Sequence, residues 1–121
     1  MRSLAETSLN TQERALLERF AEALRSKPAN RPEGVWLFGS RARGERPGEY
    51  SDVDVLVLVD DDSWEAKSDI HDTLQAVARE MGLQPLTWSF SVHIHSPAWL
   101  ARRREIHSFF IAEVDRDRVV A

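Results

Sequence analysis

Downstream of Asn10 the apolar residues Leu16, Leu17, Phe20, Ala21 and Leu24 recur at helical spacing, and Pro28 lies just beyond them. Asn10 and Glu13 match a capping box, the reciprocal pair of side chains that satisfies the free amides of a helix start. Lys27 to Gly34 carries two prolines and predicts a surface loop. Val35 to Phe38 is a short apolar run, read as a strand that stops at Gly39-Ser40. Arg41 to Ser51 is polar and holds Gly44, Pro47 and Gly48, so it predicts a loop, opened at most by one helical turn. Val53 to Val59 is apolar on both faces, the pattern of a central strand covered on both sides.

The second half repeats the alternation of helix and strand. Asp62 and Glu65 form another capping-box pattern ahead of the stripe Ala66, Ile70, Leu74, Val77, Ala78 and Met81, which Gly82 stops. From Leu86 to His95 the alternation is strict. Leu86, Trp88, Phe90, Val92 and Ile94 point one way and Thr87, Ser89, Ser91, His93 and His95 the other, which predicts a strand. Ser96-Pro97 suits a cap and first turn for a helix through Trp99, Leu100 and Arg102 to Arg104. A short helix around Phe109 to Val114 and an apolar tail, Val119-Val120, complete the chain. The expected fold class is α/β (α+β), a small mixed β-sheet flanked by helices.

A chain of 121 residues is the size of one domain, expected over 1–121, with an N-terminal helix and loop (1–30), a sheet core (35–95) and C-terminal helices (96–121). Hydrophobic and charged contents of 42% and 30% are globular values. A net charge of −4 argues against a general nucleic-acid binder. The absence of cysteine excludes disulfides, thiolate nucleophiles and Cys-based zinc sites. With no signal-type apolar region and no run of membrane-spanning length, the chain reads as cytoplasmic, with no membrane partner. Trp36, Trp64, Trp88 and Trp99 are expected to pack against helices, with partner anchoring the second reading for Trp99. Asp60 to Asp62 are expected to cap the following helix, and Arg102 to Arg104 to be solvated.

Candidate chemistry gathers in LFGSRARGERPGEYSDVDVLVLVD. Residues i and i+2 of a strand share a face, so Asp52 and Asp54 can converge on one cation or a pair of cations. Magnesium favours carboxylate and phosphate oxygens, and paired ions can clamp both oxygens of an in-line phosphoryl displacement. Gly39 lets backbone approach a phosphate, Ser40 adds a hydroxyl donor, and Arg41 and Arg43 add forked positive charge. Each feature alone is commonly structural: a turn, a solubilising pair, solvated arginines. Their conjunction describes a site for a magnesium–nucleoside triphosphate, and no Gly-Lys-Ser/Thr follows to support P-loop chemistry.

This segment resembles the signature of the nucleotidyltransferase superfamily that includes DNA polymerase β, and more narrowly its minimal nucleotidyltransferase domains. The specific match covers residues 35–60. The resemblance implies a polymerase β-like fold in which Gly39 and Ser40 contact triphosphate while Asp52 and Asp54 hold divalent metals, Mg2+ or Mn2+. It implies transfer of a nucleoside monophosphate, AMP from ATP, to a hydroxyl acceptor on a partner protein. It also implies a helical HEPN partner, and hence an alternative: a catalytically weak or inactive nucleotide-binding module acting as an antitoxin. An aminoglycoside-type adenylyltransferase fits less well, since those proteins carry an additional helical domain.

The family's usual third carboxylate, on a neighbouring strand, has no counterpart, because Thr87 to His95 contains no Asp or Glu. Counting back from Ser96-Pro97 aligns Ser91 with that position, with Ser89 the next choice. His93 can take a proton near neutrality, although a solvated sheet face is the simpler reading for His93 and His95. Glu105 lies on a predicted helix. The sequence leaves open the acceptor, the base preference and the oligomeric state, a homo-oligomer included.

Overall fold

In the computed structural model, which describes residues 3–45 and 52–121, Asn10 caps helix α1 (Thr11–Arg25) through the expected reciprocal bonds. The Glu13 amide donates to Asn10 Oδ1 at 2.8 Å, and the Asn10 amide donates to Glu13 Oε1 at 2.9 Å. Strands β1 (Gly34–Phe38), β2 (Val53–Leu58), β3 (Phe90–His95) and β4 (Val119–Val120) form one mixed sheet in the order β3-β2-β1-β4. β1 runs antiparallel to β2 and β4, and β2 runs parallel to β3. A parallel pair needs a long crossover, which α2 (Trp64–Met81) supplies. Helices α3 (Pro97–Glu105) and α4 (Phe109–Asp117) follow β3.

The period-2 alternation of the strands divides the core. Val35, Leu37, Val53, Val55, Val57 and Ile94 pack with Leu16, Leu17 and Phe20 of α1 and Ile70, Leu74 and Val77 of α2. Phe38, Leu56 and Leu58 face the other way, onto Leu100 of α3 and Ile111 and Val114 of α4. The α+β architecture is therefore a sheet between two helical layers, and β2 is apolar on both faces because both are covered. Among the described residues no helix is long and apolar enough to cross a membrane.

Four local expectations change. Ser63, not Asp62, caps α2: its Oγ accepts from the Ala66 amide at 3.3 Å. Asp62 is drawn instead to the Ser96 amide, at 3.2 Å, while Asp61 accepts from the Ser63 amide at 3.0 Å. The strand expected from Leu86 begins only at Phe90, because Gln84–Ser89 is a 3-10 segment. Its hydroxyls bond within their own turns, Thr87 to the Gln84 carbonyl at 2.7 Å and Ser89 to that of Leu86 at 2.9 Å, which competes with a ladder. Trp88 is consequently 92% exposed and Trp64, at the start of α2, 78%; only Trp36 and Trp99 pack on the core. The apolar tail is strand β4, with Val119 opposite Leu37 and Val120 opposite Trp36.

The turn after β1 does carry one helical bond, Arg43 amide to Gly39 carbonyl at 3.2 Å, and it is tied down on both sides. Arg41, 4% exposed, donates from Nη2 to Glu13 Oε1 and to the Ser8 carbonyl, and from Nε to Ser8 Oγ. On the other side Arg43 Nη1 donates to Asp117 Oδ2 at 2.6 Å. Breaking a buried ion pair from one side strands a desolvated charge. Arg41→Ala is accordingly expected to lower unfolding stability by about 3–5 kcal/mol, measured by urea denaturation, with Arg43→Ala costing much less.

Candidate functional site

Three residues form one row across the sheet: Phe38 of β1 opposite Asp54 of β2, and Asp54 beside Ser91 of β3. All three belong to the face covered by α3 and α4, since Asp54 alternates in step with Leu56 and Leu58. The register therefore sets Ser91 directly beside Asp54. Directly after Phe38, Gly39 takes a φ of +78°, and a Cβ built on it would lie 2.7 Å from Asp54 Oδ2. Glycine is required there twice, by its backbone conformation and by the carboxylate pressed against its α-carbon.

Asp54 is half-buried, and no described residue hydrogen-bonds or ion-pairs with its carboxylate. Burial first, then the charges of Asp52 and Glu113, push its carboxyl up to about 6. Asp52 is exposed, one residue ahead of β2. Two carboxylates that repel each other at the rim of an apolar core fit a hard divalent cation, which would reverse the cause of the shift. Among the described residues no cluster of three or more His, Asp or Glu side chains is arranged to hold a metal, so such a cation would complete its shell with water or phosphate.

The remaining candidates divide. Gly39 lies at the end of β1 beside Asp54, and the part-exposed Ser40 follows it. Arg41 is not with them: its guanidinium is committed to Ser8 and Glu13 behind the turn. Arg43 is exposed and held by Glu45 at 2.9 Å and by Asp117. Part of the loop expected over Arg41 to Ser51 lies outside the described residues.

His93 and His95 are not on a solvated face. His93 packs against the rings of Phe38 and Phe110, with centroids 5.5 and 5.4 Å away, and its Nε2 lies 3.3 Å from Ser91 Oγ. Burial holds its pKa below the ordinary histidine value, and Glu113 opposes that shift. His95 stacks on Trp99 at 3.5 Å and 6°, and burial, then the charge of Lys67, push it down to about 4.

Glu113 was missed by sequence reasoning. On α4, Phe110 reaches Phe38 and His93, and Asp117 reaches Arg43; Glu113 lies between them at helical spacing and acts electrostatically on both Asp54 and His93. The spacing was legible, but nothing local says which strand ends α4 crosses.

A family model described as "Nucleotidyltransferase domain" matches residues 17–117, a span that contains every candidate residue above. No curated protein sequence matches the chain.

Two substitutions check this geometry. The folded-state pKa of Asp54 lies above its unfolded value, so ionisation at neutral pH disfavours the fold. Asp54→Asn should therefore raise the melting temperature at pH 7.5 in chelator, and the gain should disappear as pH falls through about 6 towards 4. A Cβ at position 39 meets both the positive φ and the carboxylate. Gly39→Ala should cost about 1–2 kcal/mol in urea and weaken Mn2+ binding, read by paramagnetic relaxation.

Proposed function

From the premise that the chain belongs to the nucleotidyltransferase domain family, we propose that it moves a nucleoside monophosphate, AMP from ATP, onto a hydroxyl of a partner protein and releases pyrophosphate. The observation that carries this reading is the half-buried, uncompensated Asp54 carboxylate seated against Gly39. In this assignment Asp52 and Asp54 hold Mg2+ or Mn2+, which would polarise the α-phosphate and neutralise charge on the leaving pyrophosphate. Gly39 leaves the backbone open to the triphosphate and Ser40 contributes its hydroxyl. Arg43 is the arginine assigned to the phosphates, and Arg41 keeps the turn in place. Positioning and electrostatics supply most of the acceleration in such transfers, so two carboxylates suffice to bind and orient the nucleotide.

A second reading is favoured by one observation, the serine rather than a carboxylate beside Asp54. In it the domain binds nucleotide without turnover and neutralises a helical HEPN partner as an antitoxin.

The protein purified from its source organism with its associates, given ATP labelled at the α-phosphate and magnesium, separates the two. Covalent label on an associated protein is expected, and it should fall to background in the Asp52→Ala, Asp54→Ala variant. A stable associate that never acquires label would support the second reading.

A further inference from the structure

Attack by an acceptor hydroxyl requires somewhere for its proton to go, and on the transferase reading Asp52 and Asp54 would be committed to holding the cation. The residue next to Asp54 in the sheet is Ser91, and Ser91 Oγ lies 3.3 Å from His93 Nε2. His93 is one step further along the same face, beside Leu56, and half-buried against Phe38 and Phe110. The register puts the imidazole on the same face of the sheet as Asp54. We infer that Ser91 and His93 form a proton relay that replaces a carboxylate base: the acceptor's proton passes to Ser91 Oγ as the Ser91 proton passes to His93 Nε2. In the same step the acceptor oxygen bonds to the α-phosphorus, the bond from phosphorus to the bridging oxygen breaks, and pyrophosphate leaves with that electron pair. The imidazolium then returns its proton to solvent.

The arrangement requires the tautomer with the proton on Nδ1, so that Nε2 accepts from the Ser91 hydroxyl. Glu113, placed by α4 between Phe110 and Asp117, supplies the negative charge that steadies the imidazolium. Ser91 touches the acceptor; His93 acts one bond removed.

This inference rests on the transferase reading, and its test separates the failure of one from the failure of the other. Label transfer from α-labelled ATP is timed in the protein purified with its associates, for the wild type and for His93→Gln, Ser91→Asp and the Ser91→Asp, His93→Gln double variant. Binding of a fluorescent ATP analogue and thermal unfolding are followed in parallel. Loss of a base is expected to slow transfer about 100-fold in His93→Gln with nucleotide binding unchanged. The double variant should recover at least about tenfold, because a carboxylate beside Asp54 can take the proton itself; a merely structural role for His93 would not be rescued from position 91. If His93→Gln does not fold, Ser91→Ala leaves the ring packing intact and should still slow transfer about tenfold. Transfer by His93→Gln within about threefold of the wild type, or a double variant no faster than His93→Gln, overturns the relay alone. A wild type that never transfers label overturns the relay and the transferase reading together.

Discussion

Everything at the candidate site hangs on how the turn after β1 is held, and it is held by two arginines pulling in opposite directions. Arg41 reaches into the layer of α1, where Glu13 and Ser8 take its donors, while Arg43 reaches to Asp117 at the end of α4. Desolvating a guanidinium costs several kcal/mol in rough terms, recovered only where its donors are met. Glu13 meets them while also closing the cap of α1, so helix start and turn share one carboxylate. The two helical layers are thereby stitched together through the segment that carries Gly39 and Ser40.

The consequence for Asp54 is electrostatic. A turn so firmly held presses the Gly39 α-carbon against the Asp54 carboxylate, and the neighbouring charges, Asp52 and Glu113, are of the same sign. The fold maintains a carboxylate that its own surroundings disfavour. Such a group gives little to the fold, and on the proposed reading a cation would relieve the repulsion it carries.

Much of this was legible from the chain alone, for reasons that differ by element. The cap at Asn10, the α1 stripe and the doubly apolar β2 are local patterns with local causes, and they appear where the periodicity puts them. The place of Ser91 on the strand beside Asp54 was also countable once β3 is recognised, whereas Asp52 falls one residue ahead of β2. What failed depended on distant partners or on side-chain bonds that compete with the strand ladder. Asp62 left its expected cap for Ser96, and Leu86 to Ser89 yielded to hydroxyl-to-carbonyl bonds within their own turns. Arg41 looked like its neighbour Arg43 because nothing in the sequence announces that Glu13 waits behind the turn. Glu113 was invisible for the same reason.

The antiparallel ladder from Gly34–Leu58 to Phe38–Asp54 also decides where this domain can change cheaply. It fixes both ends of the connection between β1 and β2, one at the glycine turn and the other at the aspartates. Loop-closure entropy grows only logarithmically, so doubling such a connection costs about 0.6 kcal/mol. Residues can be inserted past the arginine-held turn while the ladder keeps Phe38 opposite Asp54. The length of that connection can therefore drift on a scaffold that keeps Phe38 and Asp54 in register.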